Sequence, residues 1–283
     1  MAGIAGNGTI VWAQDERGVV DLTLNRPDVG NAYNEDVIHG LHVALDVVEA
    51  QPAVRVVVLR GAGRHFQAGA DLGWIAAVAA SSDEENRRVS ELTGGVMRRL
   101  DALPMPTVAL VHGGCFGGGT GLVASCDVVV ASADAVFAVS EARWGLLASI
   151  ILPQLCRAIG TRQARRYALT GERFDADAAR RIGLVHEVCP RDALDATGAR
   201  LVEAILMSAP QATRLTKRRL RLQGDPAEAA DFADLVHEHA LGRQTAEGAE
   251  GIAAFQGKRS PAWVPPQGPS VSTQGSAGTP KRV

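Results

Sequence analysis

Hydrophobic and polar positions along the first two-thirds of the chain follow two different periods. Short runs rich in valine and leucine alternate with longer segments in which apolar residues recur every three or four positions. The first pattern predicts buried strands and the second predicts amphipathic helices. Strands are predicted at residues 19–24, 54–59, 107–111 and 127–132, and helices at residues 34–48 and 84–103. This alternation is typical of an α/β protein with a mostly parallel sheet covered by helices.

The pattern changes after about residue 152, where helical periodicity continues without strand-like runs. Helices are predicted at residues 158–170, 176–182, 194–207, 212–222, 227–245 and 250–255. The end of the chain is mainly Pro, Gly, Ser, Thr and Gln, a composition typical of disorder. We therefore divide the chain into a core at residues 10–200, a helical region at 201–263 and a disordered tail at 264–283.

Composition and charge argue against a nucleic-acid-binding, membrane or disulfide-rich secreted protein. Of the 283 residues, 46% are hydrophobic and 21% are charged, and the net charge of −2 gives no reason to expect nucleic acid or an anionic membrane. The four cysteines form no CxxC pair, which indicates reduced thiols in a cytosolic protein. No basic start followed by an apolar run opens the sequence, and the longest apolar runs are strand-sized. We expect a soluble, cytoplasmic protein.

Two turns made of small residues follow neighbouring predicted strands. Residues 66–72 (FQAGADL) come after the strand at 54–59, and residues 113–119 (GGCFGGG) come after the strand at 107–111. Active sites of α/β sheets lie at the carboxyl ends of strands, where N–H groups in such turns can converge on one oxygen. The sequence therefore predicts an oxyanion hole. The alternative is that residues 117–119 only permit close packing of a helix on a strand.

A dinucleotide site is a second alternative for this region. Residues 119–124 (GTGLVA) fit the pattern GxGxx(G/A) after a strand, and Asp134 follows the next strand. However, a Rossmann crossover needs about ten or more residues to return to the sheet. Gly119 is only about seven residues from Cys126, where the next strand begins. We therefore disfavour a dinucleotide site.

A series of short motifs runs in order from about residue 10 to residue 263. They include NRP at 25–27, NAYN at 31–34, AGAD at 68–71, GGG at 117–119, CD at 126–127, GLV at 183–185, SAP at 208–210 and EGIAAF at 250–255. In order and spacing they resemble the crotonase (enoyl-CoA hydratase/isomerase) superfamily. The resemblance implies a ββα spiral core and a helical C-terminal region that trimerises, often into a dimer of trimers. It also implies an acyl-CoA substrate, coenzyme A as the only cofactor-like group, and no metal.

The same resemblance implies catalytic roles for three residues. The two N–H groups of the family's oxyanion hole fall on Ala70 and Gly118, and its acid–base glutamate falls on Glu141. Hydratases with two glutamates have the other one at the position of Gly121. A single glutamate is compatible with hydration, as in a one-glutamate subgroup, and with double-bond isomerisation.

One subgroup of the family has a similar amino-acid sequence around these residues. Residues 71–74, 117–127 and 140–143 resemble bacterial methylglutaconyl-CoA and isohexenylglutaconyl-CoA hydratases, whose substrates carry an extra carboxylate on a branched acyl chain. A guanidinium can bind a carboxylate through two hydrogen bonds, which makes Arg143 a candidate partner for that group. The alternative is that Arg143 faces solvent or forms an ordinary ion pair.

Other residues are assigned to substrate binding on the same grounds. In the loops around the site they are Ala68, Asp71, Leu72, Gly117 and Trp144. Phe255 and Lys258 match positions where a neighbouring subunit touches coenzyme A, with trimer packing as the alternative.

The setting of Glu141 decides whether it can work as an acid–base group. A glutamate at a strand–helix junction is usually a solvated cap, but this one has apolar neighbours on both sides. They are Phe137, Val139, Trp144, Leu146 and Leu147. We expect burial to raise the pKa of Glu141 into a useful range. The family usually has proline near position 148, whereas this chain has Ala148, so the following loop can differ in shape.

Two hypotheses give the protein a non-catalytic function. Gly121 and Ala148 are compatible with a crotonase-fold protein that binds acyl-CoA without turnover. Arg214 and the run at residues 217–219 (KRR) suggest RNA binding, although a short basic helix face is usually solvated and no aromatic residues interleave with it. We favour a homo-oligomeric lyase that hydrates a branched or carboxylated enoyl-CoA, and we expect no nucleic acid partner.

Overall fold

Short strands and longer helices alternate through the computed structural model, which describes residues 1–223 and 245–265, without the side chains of residues 223, 255 and 256. The strands are β1 (Ala2–Ala5), β2 (Ile10–Gln14), β3 (Val19–Leu24), β4 (Val56–Gly61), β5 (Thr107–Val111), β6 (Gly114–Phe116), β7 (Val128–Ser132), β8 (Val136–Ala138), β9 (Phe174–Asp175) and β10 (Glu187–Cys189). The helices are α1 (Glu35–Glu49), α2 (Leu72–Ala79), α3 (Asp83–Ala102), α4 (Gly118–Ala124), α5 (Leu152–Thr170), α6 (Ala176–Arg181), α7 (Leu194–Leu206), α8 (Pro210–Gln223) and α9 (Ala246–Gln256).

The main sheet has seven strands in the order β1-β2-β3-β4-β5-β7-β10. Pairing is antiparallel from β1 to β3 and parallel from β3 to β10. In β4, Val57 and Leu59 face a large core that includes residues of α1 and α3, whereas Val56 and Val58 face a smaller core that includes residues of α7. Both faces are therefore covered, as expected for the parallel part of a sheet.

A small second sheet brings the ends of the central strands together. It has the order β6-β8-β9, with β6 and β8 parallel. Isolated bridges join Gln67 to Cys115 and Tyr33 to Ala70. These bridges attach the loops after β3 and β4 to the edge of the second sheet, where β6 leads into α4.

The sequence-based prediction of a largely parallel sheet is confirmed, and the predicted helices 34–48 and 84–103 correspond to α1 and α3. The prediction of helix alone after residue 152 is wrong at β9 and β10, which are two and three residues long. Strands this short carry too few residues for a period-two pattern. The predicted helix at 227–245, apart from residue 245, and the predicted disorder of 266–283 lie outside the described residues.

Helix α8 is held against the sheet by two of the basic residues considered above for RNA binding. The ammonium of Lys217 lies 2.7 Å from a carboxylate oxygen of Asp127 and donates to the Met105 carbonyl at 2.9 Å. Arg214 donates to the carbonyl of Val54 at 2.8 Å. These two cations are engaged within the protein, which weakens the RNA interpretation. Asp127 also accepts from the Thr107 N–H, so its carboxylate has a structural role just before β7.

Within residues 1–223 and 245–265, no helix combines the length and the apolar character needed to cross a bilayer. All four cysteines are free thiols, as the sequence predicts. Burial raises the pKa of the Cys115 thiol well above its ordinary value, since the thiolate would be unsolvated.

Candidate active site

A cavity of about 820 Å³ opens where the loops after β3, β4, β6 and β8 meet. It brings together nine of the residues assigned to the site from sequence. They are Ala68, Ala70, Asp71, Leu72, Gly117, Gly118, Glu141, Arg143 and Trp144. Leu72 and Trp144 are 66% and 69% exposed, so they border the cavity on its solvent side.

The loop after β4 lies directly against β6. Gln67 donates its N–H to the Gly114 carbonyl at 3.1 Å, and Phe116 donates to the Gln67 carbonyl at 2.9 Å. Ala70 follows this contact on one side, and Gly118 follows it on the other as the first residue of α4. Among the described residues, the N–H groups of Ala70 and Gly118 have no hydrogen-bond acceptor. Two unengaged backbone donors are therefore available to an oxygen atom in the cavity.

Glycine is required at both positions of the turn before α4. Gly117 has φ 52° and ψ −119°, a conformation that L side chains rarely adopt. A Cβ atom on Gly117 would lie 2.9 Å from Oε1 of Glu141, and one on Gly118 would lie 2.6 Å from Cε1 of Tyr33. The glycines thus let a carboxylate and a phenol ring approach the backbone of two consecutive residues.

Glu141 begins a 3-10 helix shortly after β8. Its Oε2 atom is buried and has no hydrogen-bond partner. Burial raises the pKa of this carboxyl group, because the charged form loses its solvation. A higher pKa makes this carboxylate a stronger base than that of an exposed glutamate, which suits it to accepting and returning a proton.

The apolar setting expected around Glu141 is present on one side only. Phe137 and Val139 are fully buried, as expected. Trp144 and Leu147, which we expected to help bury the carboxyl group, are 69% and 85% exposed. Trp144 ends the 3-10 helix and Leu147 follows it, and both border the cavity on its solvent side. Burial of Glu141 therefore depends on residues from other loops, including the turn at Gly117.

The position of the absent second carboxylate is filled by apolar atoms. A Cβ atom on Gly121 would lie 2.4 Å from Cγ2 of Ile151 and 3.6 Å from Cε of Met97. Ile151 is 1% exposed and Met97 is 3% exposed, so neither can swing into solvent. A glutamate cannot occupy position 121 unless Ile151 moves, and the cavity retains one carboxylate next to the turn.

Tyr33 was not identified as a site residue from the sequence, although it lies in the NAYN motif. It lines the cavity, and its ring meets Trp74 edge to face at 5.9 Å between centroids. Burial, together with the charge of Glu141, raises the pKa of Tyr33 to about 12. The phenol therefore stays protonated at any physiological pH.

Two arginines line the same cavity. Arg143 donates from Nε to the Thr170 carbonyl at 3.3 Å, and a Cβ on Gly171 would touch its side chain. The guanidinium of Arg173 lies 5.4 Å from the centre of the Phe116 ring. Neither arginine has a salt-bridge partner in the part of the chain that the structure describes. Nothing in its sequence context singled out Arg173, because only the fold brings the loop after α5 to the cavity.

The carboxylate of Asp71 is committed to the protein itself. It accepts from the N–H groups of Gly73 and Trp74 and so caps the N-terminus of α2. It also lies 2.8 Å from the guanidinium of Arg26, whose hydrogen bond is the largest cause of its lowered pKa. Asp71 lines the cavity, but its charge fixes the loop that carries Ala70.

Of the two C-terminal residues assigned to coenzyme A, Lys258 is not part of the cavity within one chain. Lys258 is exposed at a positive φ of 52° and is not one of the cavity residues. Phe255 lies in α9, and its side chain falls outside what the structure describes.

Comparison with known proteins identifies the family. Residues 14–266 match the sequence model of the enoyl-CoA hydratase/isomerase family. The mevalonyl-coenzyme A hydratase sidH of Aspergillus fumigatus is 34% identical over 253 residues, covering 86% of this chain and 90% of that protein. The 2,3-dehydroadipyl-CoA hydratase of Escherichia coli is 32% identical over 247 residues, covering 87% of this chain and 95% of that protein.

Solved structures agree with this assignment. Pseudomonas aeruginosa AtuE matches with a TM-score of 0.86 at 38% identity, covering 91% of this chain and 100% of that chain. The crotonase-type α/β architecture expected from the sequence is thereby confirmed. The chain belongs to the enoyl-CoA hydratase/isomerase (crotonase) family.

Proposed function

We propose that the protein hydrates the double bond of an enoyl-CoA thioester, with Glu141 as its single acid–base carboxylate. The observation that carries the proposal is the pairing of two features in one cavity. Oε2 of Glu141 is buried without a hydrogen-bond partner, and its Oε1 would lie 2.9 Å from a Cβ on Gly117. The next residue, Gly118, has an N–H group without an acceptor in the described chain.

The proposed mechanism gives the two N–H groups and the Glu141 carboxylate separate roles. The N–H groups of Ala70 and Gly118 bind the thioester oxygen and stabilise the negative charge that develops there, an effect worth ~3–4 kcal/mol for one such donor. Glu141 takes a proton from a water molecule as the water oxygen bonds to Cβ. The electrons of the double bond move toward Cα and the thioester oxygen. Glu141 then returns the proton to Cα, so that one water molecule is added overall.

The two arginines in the cavity suggest that the substrate carries a second anionic group. We propose that this group is a distal carboxylate on a branched acyl chain. Arg143 and Arg173 line the cavity and have no acidic partner within residues 1–223 and 245–265. A guanidinium can bind a carboxylate through two parallel hydrogen bonds. The resemblance to methylglutaconyl-CoA and isohexenylglutaconyl-CoA hydratases points the same way, as does the similar E. coli protein named for a dehydroadipyl thioester.

Isomerisation of an enoyl-CoA is the second candidate, and Gly121 favours it. With Ile151 in the place of a second carboxylate, Glu141 alone can move a proton from one carbon to another. A protein that binds acyl-CoA without turnover is the alternative from another class. We also propose that the chain forms trimers or dimers of trimers, in which Phe255 and Lys258 reach the coenzyme A bound to a neighbouring subunit.

The test is the loss of enoyl-thioester absorbance, with crotonyl-CoA and 3-methylglutaconyl-CoA compared side by side. Hydration should be faster with the carboxylated substrate, and Glu141→Gln should lower kcat by at least ~100-fold. Arg143→Ala should raise KM for 3-methylglutaconyl-CoA by about 10-fold or more and leave KM for crotonyl-CoA nearly unchanged. Equal effects on both substrates would exclude a carboxylate partner.

A third substrate separates the alternatives. If neither 2-enoyl-CoA loses absorbance, a 3-enoyl-CoA is offered and the appearance of the conjugated thioester is followed. Glu141-dependent appearance would establish an isomerase. Binding of all three thioesters without any change would establish a non-catalytic acyl-CoA protein.

A further inference from the structure

Tyr33 is tied to the oxyanion turn by its own backbone. Its N–H donates to the Gly69 carbonyl at 2.9 Å, and its carbonyl accepts from the Asp71 N–H at 2.9 Å. These two hydrogen bonds bracket Ala70, whose N–H is one of the two free donors. The position of Tyr33 relative to Ala70 is therefore fixed by the fold.

The ring of Tyr33 reaches the second donor as well. Its Cε1 atom would lie 2.6 Å from a Cβ on Gly118, and Trp74 packs against the ring. Glu141 makes the corresponding approach to Gly117, one residue earlier, at 2.9 Å. A phenol and a carboxylate thus flank two consecutive residues, and both line the same cavity.

The hydroxyl group of Tyr33 makes no hydrogen bond to another residue among 1–223 and 245–265, and its oxygen is not one of the fully buried atoms without a partner, so solvent in the cavity can reach it. A hydroxyl group that no residue engages is free to bind a water molecule or a substrate atom. Because the phenol remains protonated, it can hold a water molecule but cannot act as a base. The group is suited to binding and orienting a water molecule or a substrate atom.

In hydration with a single carboxylate, one O–H group of the reacting water lacks a hydrogen-bond partner, and Tyr33 can supply it. A second carboxylate cannot stand at position 121, because Ile151 fills the space that its side chain would need. A water held by Glu141 through one O–H alone would keep its rotational freedom, and losing orientation lowers the rate. A second hydrogen-bonding group is needed near Glu141.

We propose that the hydroxyl of Tyr33 is a second catalytic group, which accepts a hydrogen bond from the reacting water while the other O–H of that water points to Glu141. This role depends on the hydratase function proposed above. Glu141 takes and returns the transferred proton, and the water oxygen forms the new bond to Cβ. Tyr33 keeps its own proton throughout, so it orients the water and leaves the proton balance unchanged.

The test is Tyr33→Phe, which keeps the ring and its packing and removes only the oxygen. We expect kcat for hydration to fall on the order of 10- to 100-fold, with KM within about 3-fold, because the thioester contacts are retained. The exchange of the Cα proton of butyryl-CoA in D₂O provides a second measurement. This exchange needs Glu141 and the oxyanion donors but adds no water to Cβ. It should stay within about 2-fold of the wild-type rate.

Tyr167→Phe is the matched control, since the chain has only two tyrosines. Tyr167 is buried in α5 against Phe174, with the ring centres 4.0 Å apart, and is not one of the cavity residues. This variant should hydrate and exchange at wild-type rates. Urea denaturation of all three proteins checks that each is folded.

The outcomes separate the two proposals. If the wild type hydrates and Tyr33→Phe hydrates equally fast, the role of Tyr33 is wrong and the hydratase function stands. If exchange at Cα falls as much as hydration does, Tyr33 acts on the oxyanion turn and the water-holding role is wrong. If the wild type hydrates no enoyl-CoA, both proposals fail together.

Discussion

The carboxyl group of Glu141 links catalysis to stability, since it is buried without a partner for Oε2. Its pKa is raised in the folded protein by loss of solvation. A group of this kind contributes fully to stability below its unfolded pKa, and the contribution is lost as the pH rises through the folded pKa. Glutamine has no such loss because it does not ionise. The stability of Glu141→Gln relative to the wild type should therefore increase as the pH rises from about 4, near the unfolded pKa, to about 8. The same variant should lose activity.

Urea denaturation at several pH values measures this difference. Glu91→Gln is the matched control, because Glu91 is exposed on α3 and should give a difference that does not depend on pH. A stability difference for Glu141→Gln that stays constant or shrinks between about pH 4 and pH 8 would contradict a buried, ionising carboxyl group.

Residues on the turns were within reach of sequence reasoning, and residues brought in from other loops were not. Ala70, Gly118 and Glu141 stand in runs whose small or charged residues are conspicuous in sequence. Tyr33 and Arg173 are unremarkable in their own segments and become part of the cavity only through the bridge at Ala70 and the loop after α5. No local pattern encodes such contacts, because they depend on which loops meet in space.

At the scale of elements, length decided what could be predicted. The strand at Thr107–Val111 was identified with its observed bounds, because all five of its residues are buried and Pro106 directly precedes it. The strands of the second sheet have two or three residues each and were missed. Helix α2 was also missed, because its cap, Asp71, lay in a segment interpreted only as a turn.

The contact between α4 and the start of α5 gives a prediction at this scale. Alanine in a helix interior is normally more stable than glycine by up to ~1 kcal/mol. At Gly121 the added Cβ would lie 2.4 Å from Cγ2 of Ile151, which is fully buried. Gly121→Ala should therefore destabilise the protein by about 1–3 kcal/mol, the usual cost of overpacking. Chemical denaturation measures the change.

Two further variants show whether steric conflict is the cause. In an Ile151→Ala background the 2.4 Å contact is gone and only the 2.9 Å approach to Cβ remains, so the cost of Gly121→Ala should be smaller. Gly73→Ala in α2 is the control, because its nearest contact is an ordinary 3.4 Å and the change should be neutral or stabilising. Equal costs for Gly121→Ala in both backgrounds would rule out the conflict with Ile151.

For the molecule as a whole, hydrogen bonds of a partly buried arginine join the helical C-terminal region to the α/β core. Arg55, just before β4, donates to the carbonyls of Leu206 at 3.0 Å, Ser208 at 2.7 Å and Trp263 at 2.6 Å. One guanidinium thus connects the central sheet, the junction of α7 and α8, and the segment after α9. The sequence did not indicate this connection, because 208 residues separate Arg55 from Trp263.

Arg55→Ala should release the C-terminal segment before the core unfolds. The change removes three charge-assisted hydrogen bonds and leaves three carbonyls without their donor, a loss of about 2–4 kcal/mol. Because only the contacts of the C-terminal region are lost, amide hydrogen exchange should accelerate in residues 246–265 and stay unchanged in β4 and β5. Arg98→Ala, which truncates an exposed arginine on α3, should leave exchange unchanged throughout the chain. Unchanged exchange in residues 246–265 of Arg55→Ala would show that other contacts hold the segment. Acceleration that includes β4 and β5 would show instead that Arg55 stabilises the core and that the two regions unfold together.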